Sequence, residues 1–413
     1  MKKFFGGFLV VILLVAFLSA CGNDDKGGEG SGGNSDTITV WAMGEEGKLL
    51  KEMAKGFEEE NEGLTVEVQA LPWENAHDKL LTAVASGNGP DVLQLGATWI
   101  PEFAEAGALL DLSDYVTDNP EFAKVNYFDG AQTLMEYNDE TVGIPWYVDT
   151  RVLYYRTDIL AEVGYDEAPK NWEELEDAAQ KLADRGDGQW GIDIDQKDQI
   201  TPFIFAWQNG YQADIENNDL NLDSPEFLGA MEYYTSFFEN GYSQQNEGLD
   251  IIQAFADGSK AMFFSGPWMI NQLNDQVPDI EGDWSVATMP GNTSNTSSLG
   301  GSVFSVFHTS DNVDNAMKFI SYMNETETQI EWMEMSNALP ARVEAWDDPA
   351  LSEDEKYSVF GEQLNDAIPG IQVEEFERIA QELLNALERV NVGGADLEAE
   401  METFNQTAQQ LLE

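Results

Sequence analysis

A fourteen-residue stretch, Gly143 to Arg156, combines aromatic, acidic and guanidinium side chains in a way that suits ligand binding. Its valines and tyrosines favour extended backbone, and Pro145 prevents a helix from running through from the N-terminal side. Because alternate residues of a strand face opposite sides, Tyr147, Asp149 and Arg151 are expected on one face. An aromatic ring beside a carboxylate and a guanidinium can bind a ligand that has apolar patches and hydroxyl groups together, as sugars do. A buried strand in which Asp149 and Arg151 simply pair is the alternative interpretation.

The composition is that of an acidic but folded chain. The 413 residues carry a formal net charge of −57, yet 42% are hydrophobic and 11% aromatic, which excludes a disordered chain. So acidic a surface repels phosphate backbones, and nucleic acid is therefore not an expected partner. We interpret the acidity as an adaptation to a salty or alkaline habitat. Equal solubility and stability with and without molar salt would contradict that interpretation.

Few side chains are available for metal binding or for histidine and cysteine catalysis. Cys21 is the only cysteine, and His77 and His308 are the only histidines, so a disulfide scaffold and a cysteine-based zinc site are excluded. The run from Asp219 to Asp223 alternates like a calcium loop but lacks the required glycine and the closing glutamate. We therefore expect no metal, no cofactor and no catalytic residue.

The N-terminus has the pattern of an export signal. Two lysines precede an apolar run, Phe8 to Leu18, that is too short to span a bilayer comfortably. The run ends in Leu-Ser-Ala-Cys at Cys21, which resembles a bacterial lipobox and implies cleavage before the cysteine and lipid attachment to its thiol. We therefore predict a lipoprotein signal peptide at residues 1–20 and a flexible, glycine-rich tether at residues 21–36.

From Thr37 onward the hydrophobic pattern alternates between strands and helices. Strands at 37–43, 64–70 and 91–95 are separated by amphipathic helices at 48–60 and 75–86. Short connections in such an alternation predict a parallel sheet, whose ligands bind beyond the carboxyl ends of the strands. Polar or aromatic residues follow each of the three strands, which predicts a cleft at this edge. These residues are Glu45, Glu46, Trp73, Thr98 and Trp99.

The α/β pattern recurs after residue 150 and predicts a second lobe of similar construction. We expect a strand at 191–194, a buried strand that runs into Ser265-Gly266-Pro267-Trp268, and a strand at 299–307 whose glycines permit close backbone approach. Two amphipathic helices, at 374–390 and 396–412, finish the chain.

Taken in order, these features resemble the family 1 extracellular solute-binding proteins of ABC importers, the group of the maltose-binding and other oligosaccharide-binding proteins. The lipobox, the strand-end residues, Gly-Ile-Pro-Trp-Tyr-Val-Asp-Thr-Arg, Ser-Gly-Pro-Trp and Leu-Gly-Gly-Ser carry the likeness, which runs from about Thr37 to the C-terminus. It implies an α/β fold of two lobes joined by a hinge, with the ligand in the cleft between them. The implied ranges are 37–148 and 303–325 for lobe 1, 152–299 and 335–413 for lobe 2, and hinge segments near 148–152, 299–303 and 325–335.

The resemblance also implies which residues bind the ligand. Lobe 1 and the hinge stretch supply the five strand-end residues above together with Trp146, Tyr147, Asp149 and Arg151. Lobe 2 and the second crossing supply Trp207, Gln208, Ser265, Gly266, Trp268, Gly300, Gly301 and Ser302. Arg342 and Phe376 are further candidates, the latter at a position where relatives often have tryptophan.

The implied function is that of a substrate-binding component of an ABC importer. It is expected to be a monomer, lipid-anchored on the extracellular face of the membrane, that passes a sugar unaltered to the permease. Two alternatives stay open. Aromatic faces with Glu45, Glu46 and Asp149 could hold a polyamine or betaine, although Arg151 opposes a cation. A surface glycoside-acting enzyme would need two carboxylates across a cleft, but no pair stands out, and Arg151 would lower a carboxyl pKa where the acid needs it raised.

Overall fold

The computed structural model describes residues 36–217, 219–245 and 250–412. The predicted signal peptide, Cys21 and all of the predicted tether except Asp36 lie outside these residues. Within the described ranges, no helix combines the length and the apolar character that crossing a membrane requires. Two main sheets organise the described chain, one of seven strands and one of three. We call the elements built on the seven-stranded sheet the first lobe and those built on the three-stranded sheet the second lobe.

The N-terminal part of the first lobe folds as the sequence predicts. Three strands alternate with two helices: β1 (Thr37–Met43), α1 (Glu46–Glu60), β2 (Thr65–Leu71), α2 (Trp73–Ser86) and β3 (Val92–Gly96). β1 lies between β2 and β3 and pairs with both in parallel. Leu50, Met53 and Phe57 are buried, because the helical period places them on one face of α1. The carboxyl ends of the three strands therefore meet at one edge of the sheet.

The middle of the first lobe leads from this sheet to the hinge stretch. It comprises α3 (Ile100–Glu105), α4 (Ser113–Asp118), α5 (Asp129–Thr133), β4 (Glu136–Tyr137), β5 (Glu140–Thr141) and β6 (Ile144–Thr150). β6 ends one residue before Arg151, and β7 (Val152–Arg156) begins directly after it. The extended stretch predicted from Gly143 to Arg156 is thus two strands, and Arg151 is the link between them.

The second lobe is built on β7 and is mainly helical. Its elements up to the return crossing are α6 (Thr157–Glu162), α7 (Trp172–Ala183), α8 (Thr201–Gln208), α9 (Pro225–Glu239), α10 (Ile251–Ala256), β8 (Met262–Ser265), α11 (Trp268–Gln276) and β9 (Trp284–Ala287). β7 lies between β8 and β9 and is antiparallel to both. The second lobe thus combines helices and strands as predicted, but its sheet is antiparallel and differs in this from the N-terminal part of the first lobe. The strand predicted at 191–194 forms only isolated bridges, Trp190 with Lys260 and Asp193 with Phe263.

One long strand, β10 (Ser297–Val306), returns the chain to the first lobe. It lies between β6 and β3 and is antiparallel to both. The remaining elements are α12 (Val313–Met323), α13 (Thr326–Ser336), β11 (Leu339–Pro340), α14 (Pro349–Ser352), α15 (Tyr357–Leu364), β12 (Ala367–Ile368), α16 (Phe376–Asn391) and α17 (Leu397–Leu412). The large sheet has the order β11-β6-β10-β3-β1-β2, with β12 paired to β10.

The last crossing into the second lobe lies later in the chain than the sequence suggested. Residues from 335 onward were expected in lobe 2, but β11 pairs with β6 in the large sheet. The Arg342 guanidinium likewise donates to the Glu121 carbonyl and to the Asn324 side chain, both of the first lobe. Only after β12 does the chain reach α16 and α17, which pack on α9. This corrects the crossing predicted at 325–335.

Two apolar clusters account for the core. One lies within the second lobe, where Phe203, Phe205 and Leu383 are fully buried. The other fills the first lobe and continues onto the small sheet through Tyr154 and Trp284. Apolar packing is thus continuous past the β6–β7 link, which holds the two sheets together at this point.

Candidate ligand-binding cleft

Arg151 connects the two lobes by charge as well as by backbone. Its Nη1 donates to Asp149 Oδ1 and its Nε donates to Asp198 Oδ2, each at 3.2 Å. Asp149 belongs to β6 of the first lobe, whereas Asp198 precedes α8 in the second lobe and accepts the Ile200 amide at 3.0 Å. The guanidinium carbon lies 4.7 Å from the centroid of the Trp268 ring, within cation–π range. One cation therefore contacts carboxylates from opposite lobes and an indole ring.

The pairing of Asp149 with Arg151 that the sequence left open is present, but the pair is not sealed from solvent. The Asp149 and Arg151 side chains remain 22% and 17% exposed. Burial raises the pKa of Asp149; Arg151 opposes this shift and Asp198 reinforces it. Burial works to lower the pKa of Arg151, but Asp198 and Asp149 outweigh it, and the net shift is upward. Arg151 therefore stays charged and can donate hydrogen bonds to a ligand at any physiological pH.

Glu46 provides a second polar group at the first-lobe strand ends. It is the first residue of α1 and directly follows the β1 turn. Burial raises the pKa of its carboxyl; hydrogen bonds from its own backbone amide, Trp73 and Tyr147 oppose that shift, and Asp149 reinforces it. Because no cation is among these influences, Glu46 is a half-buried acceptor whose charge is poorly compensated. Hydroxyl groups of a ligand would supply donors there.

The Tyr147 hydroxyl is held in place by a buried amide. It accepts hydrogen bonds from Gln94 Nε2 and from Ser302 Oγ, each at 3.1 Å, which leaves its own proton for Glu46. Gln94 is fully buried, and its oxygen accepts the Met43 amide at 2.7 Å. Gln94 therefore orients Tyr147 from inside the sheet. The sequence did not single it out, because it lies within an otherwise apolar strand.

Aromatic faces border this polar centre from both lobes. Trp73 and Trp99 of the first lobe meet edge to face at 5.4 Å between ring centroids. His77 packs edge-on against Trp99 at 5.3 Å, and its Nε2 lies 2.6 Å from Glu102 Oε2, so Trp99 is supported from behind. In the second lobe Trp268 is 37% exposed, the same fraction as Trp73. Large aromatic surfaces left open to solvent in this way are suited to stacking on a ligand.

Two cavities meet at Arg151 and Asp198, which line both. The first, of about 390 Å³, lies between the lobes, and its walls include Thr98, Asp149, Gly300, Gly301 and Phe376. The second, of about 350 Å³, lies in the second lobe beside Ser265 and Trp268. Both volumes are within the range of small-molecule sites. We call this pair of cavities, with the flanking residues Glu46, Trp73, Trp99 and Tyr147, the cleft.

Asp198 is the principal cleft residue that the sequence reasoning missed. It lies in the polar run from Asp193 to Gln199, and in a chain with 77 acidic residues one more aspartate carries no signal. Gln199, Gly370 and Ser298 also line the interlobe cavity without having been predicted. Only the packing of the second lobe against β10 brings these residues together.

Two glycines at the second crossing allow the strands to approach closely. A Cβ on Gly300 would lie 2.5 Å from Asp149 Oδ1, and Gly301 has φ +110° with its Cβ position 2.3 Å from the Tyr147 carbonyl oxygen. Gly300 faces Asp149 across the β10–β6 pair. Any side chain here would displace the Asp149 carboxylate or the strand itself. The predicted close approach at Gly300 and Gly301 is present.

Several predicted ligand residues lie in the core or are engaged elsewhere in the fold. Trp146 is 1% exposed and stacks on Phe304 at 4.2 Å in the first-lobe core, because it faces the opposite side of β6 from Tyr147. Trp207 and Gln208 are buried in the second lobe, where Gln208 accepts from Trp172 Nε1 at 2.9 Å. Arg342 is engaged in the first lobe, as described above. Glu45, which directly precedes α1 and the cleft residue Glu46, is exposed and pairs with Lys48.

The remaining predicted residues do lie in or beside the cleft. Gly266, between Ser265 and Trp268, accepts a hydrogen bond from the Tyr154 hydroxyl at 2.7 Å through its carbonyl. Within the described ranges, no group of three or more histidine, cysteine, aspartate or glutamate residues is arranged to hold a metal ion. What the cleft offers is hydrogen-bonding groups and aromatic surface from two lobes.

Comparison with known proteins identifies the class. The profile of a family described as bacterial extracellular solute-binding proteins matches residues 52–359, and the chain belongs to this family. The sugar-binding protein MalE from Xanthomonas citri has a similar solved structure, with a TM-score of 0.87 and 32% identity over 91% of this chain and 97% of that one. The predicted family and the predicted two-lobe α/β fold are confirmed.

Two curated relatives extend the comparison. The arabinooligosaccharide-binding protein of Halalkalibacterium halodurans is 26% identical, covering 74% of this chain and 71% of its own length. The galactooligosaccharide-binding protein of Bacillus subtilis is 23% identical, covering 97% and 95%. Family membership makes the chain a solute-binding protein that acts outside the cytoplasm, and not an enzyme.

Proposed function

We propose that this protein is the substrate-binding component of an ABC importer and that it captures a neutral oligosaccharide in the cleft. The observation that carries the proposal is the placement of solvent-exposed tryptophans on opposite lobes, Trp73 and Trp268, around the Asp149–Arg151–Asp198 cluster. Two relatives are named as binding proteins for arabinooligosaccharides and for galactooligosaccharides, which supports an oligosaccharide as the ligand.

The chemistry of a sugar ring matches these groups. A pyranose presents C–H groups on its faces, which indole rings can cover, and hydroxyls around its edge, which charged donors and acceptors bind more strongly than neutral ones do. Arg151 donates, whereas Asp149, Asp198 and Glu46 accept. Because the contacts are divided between two lobes, a ligand that touches both favours the closed arrangement by its differential affinity.

The charge distribution argues against a cationic ligand. Asp149 and Asp198 already share the Arg151 guanidinium, and that guanidinium lies over the Trp268 ring, where an ammonium ligand would otherwise stack. Burial also raises the pKa of Glu46 and of Asp149, which weakens both as counter-ions. A neutral polyhydroxyl ligand meets neither obstacle.

Calorimetric titration tests the ligand class. Maltotriose, arabinotriose, galactotriose and diacetylchitobiose would be titrated into the protein alongside spermidine and glycine betaine. We expect saturable heat with at least one saccharide, and its loss in Trp268→Ala but not in the control Trp190→Ala, whose indole lies in the same lobe outside the cleft. Heat with spermidine or betaine and with no saccharide would overturn the assignment.

The site of action is the second part of the proposal. We infer that residues 1–20 are removed, that Cys21 carries diacylglycerol, and that the tether keeps the lobes near a permease on the outer face of the membrane. Mass spectrometry of the protein purified from membranes should find a lipid-modified N-terminal Cys21. A Cys21→Ser chain recovered in the membrane fraction to the same extent would contradict lipid anchoring.

A further inference from the structure

A buried glutamine lies where two strands of the large sheet separate. The pairing of β1 with β3 consists of two residue pairs, the second of them Trp41 with Leu93. Two residues further along β1, the Met43 amide donates to Gln94 Oε1 at 2.7 Å. Gln94 is fully buried. Its side chain therefore accepts a backbone amide just beyond the end of the strand pairing.

The Met43 amide determines which way the Gln94 carboxamide is turned. Only the oxygen of a carboxamide can accept a hydrogen bond, so the nitrogen of Gln94 must face away from Met43. That nitrogen donates to Ser302 Oγ at 2.9 Å and to the Tyr147 hydroxyl at 3.1 Å. Both hydroxyl oxygens therefore accept a hydrogen bond from Gln94.

The protons of the two hydroxyl groups are then directed in one way. Ser302 is opposite Tyr147 in the β10–β6 pair, and its Oγ donates to the Tyr147 hydroxyl at 3.1 Å. Because the Gln94 nitrogen can only donate, Tyr147 is the one acceptor that the described residues offer to Ser302. The Tyr147 oxygen thus accepts two hydrogen bonds, and its own proton is directed to Glu46.

The Glu46 carboxylate therefore receives hydrogen bonds from three donors of the protein. These donors are its own backbone amide, the Trp73 side chain and the Tyr147 hydroxyl. Trp73 Nε1 and Glu46 Oε2 both lie against Gly44, where an added Cβ would be 2.7 Å from the first atom and 3.0 Å from the second. A carboxylate has about four acceptor positions. The remaining one can bind only a ligand group that donates.

We propose that Gln94 is a positioning residue that fixes the direction of the Tyr147 hydrogen bond, so that Glu46 accepts from Tyr147 and selects a ligand group that donates an O–H. Without the Gln94 nitrogen, the Ser302 oxygen loses its donor and competes with Glu46 for the Tyr147 proton. The selection of an O–H donor rests on the function proposed for the cleft. The direction of the hydrogen bond does not, because it is a property of the ligand-free protein.

The pKa of the Glu46 carboxyl reports this direction without any ligand. It can be measured by a carboxyl-carbon NMR titration of glutamate-labelled protein, with the Glu46 signal assigned by its absence in Glu46→Gln. We expect a higher pKa for Glu46 in Gln94→Met and in Tyr147→Phe, since its charged form loses a hydrogen bond. Adding Gln94→Met to Tyr147→Phe should cause no further rise. Asp149, the other titratable group that faces Glu46, is present in every variant.

The chain offers a matched control in Gln363 on α15. Gln363 is also a buried glutamine, and its Oε1 accepts the Met289 amide at 2.7 Å. Its nitrogen donates to two backbone carbonyls, at 2.9 and 3.2 Å. Gln363 lines neither cavity of the cleft. Gln363→Met therefore removes an equivalent carboxamide and should leave the pKa of Glu46 unchanged.

Gln94→Glu provides the measurement if Gln94→Met does not fold. The glutamate side chain has nearly the same shape and keeps an acceptor for the Met43 amide. Its second oxygen carries at most one proton, whereas the amide nitrogen carries two, so it cannot donate to Ser302 and Tyr147 together. The pKa of Glu46 should therefore rise in this variant as well.

Saccharide affinity tests the consequence for the ligand. Calorimetric titrations would use maltotriose, arabinotriose, galactotriose and diacetylchitobiose. For each saccharide that binds the wild type, Gln94→Met and Tyr147→Phe should each weaken binding by about tenfold. The double variant should be weakened by about the same factor, because both residues act through one hydrogen bond. Gln363→Met should bind as the wild type does. A loss of about a hundredfold in the double variant would mean that Gln94 acts independently of Tyr147 and would overturn the proposal.

This proposal and the proposed function fail in different ways. Equal pKa values of Glu46 in the wild type and in Gln94→Met, or the same rise in Gln363→Met, would overturn the role of Gln94 whatever the cleft binds. Absence of heat with all four saccharides would instead contradict the proposed function and, with it, the selection of an O–H donor. The NMR titration would still decide the direction of the Tyr147 hydrogen bond.

Discussion

The guanidinium of Arg151 lies against the ring of Trp268, 4.7 Å from its centroid, so the link between the lobes also supports the aromatic surface of the second lobe. The same guanidinium holds Asp149 and Asp198. A substitution of Arg151 is therefore expected to reduce both ligand affinity and fold stability, whereas a substitution of a neighbouring residue should reduce mainly one of the two.

Replacing Arg151 with glutamine should weaken both properties. Asp149 and Asp198 lose their cation, and because all three side chains are largely buried, we expect a loss of about 2 to 4 kcal/mol in the free energy of unfolding. Saccharide affinity should fall by at least about tenfold. Urea unfolding and calorimetry measure the two effects. Arg389→Gln, which removes the more exposed pair with Glu400, should cost less than about 1 kcal/mol; equal losses in the two variants would contradict this account.

Two tryptophans should separate binding from stability. Trp268→Ala removes a partly exposed ring and should reduce saccharide affinity by about tenfold or more while changing the free energy of unfolding by less than about 1 kcal/mol. Trp146→Ala opens a cavity between Phe304 and Trp332 and should cost about 3 to 5 kcal/mol. Denaturant unfolding and intrinsic fluorescence titration distinguish the two. If the Trp146→Ala chain is as stable as wild type but no longer binds sugar, Trp146 contacts the ligand and the core assignment is wrong.

Alanine at the two crossing glycines should have unequal effects. In Gly301→Ala the new Cβ meets the Tyr147 carbonyl oxygen and the backbone is held at φ +110°, so we expect a loss of at least about 2 kcal/mol. In Gly300→Ala the clash is with the Asp149 carboxylate, which can rotate away. That variant should remain closer to wild type in thermal unfolding yet bind saccharide more weakly. The reverse order of stabilities would show that the Asp149 side chain cannot move.

The carboxyl of Glu46 should make stability depend on pH. Burial raises its pKa above the ordinary 4.5, so the folded chain binds this proton more tightly than the unfolded chain. The stabilisation that comes from this tighter proton binding is fully present below the pKa of Glu46 in the unfolded chain. It is lost as the pH rises through the pKa of Glu46 in the folded chain. Glu46→Gln is neutral throughout, and its stability relative to wild type should therefore increase between about pH 4 and pH 7.

Urea unfolding across that pH range provides the measurement. Glu59→Gln, at an exposed position on the same helix, serves as the control and should show no such trend. Parallel pH profiles for Glu46→Gln and Glu59→Gln would mean that the Glu46 carboxyl is not affected by burial.

The sequence predicts the first lobe well because its periodicity is local. β1, β2 and β3 form near their predicted positions and pair in parallel as predicted, and their ends carry Glu46, Trp73 and Trp99 to one edge. The same alternation that groups Tyr147 with Asp149 places Trp146 on the opposite face, so its burial follows from the sequence although it was predicted to bind ligand. The prediction for Trp146 relied on the aromatic composition of the stretch and not on the alternation of its residues.

The remaining differences depend on long-range packing. Asp198 reaches Arg151 across 47 positions of sequence, and nothing in its neighbours marks it. β11 has two residues, one of them proline, and joins the large sheet only because β6 offers a free edge there. Arg342 resembles a ligand residue in sequence, but carbonyl oxygens of the first lobe surround it.

The position of β10 has a consequence for how the protein is made. It lies between β6 and β3, so these two strands cannot be joined into one sheet until the ribosome has synthesised residue 306. Neither lobe is a continuous piece of chain, and neither can complete itself early. The central strand pairings of the large sheet therefore form only after about three quarters of the chain has been synthesised.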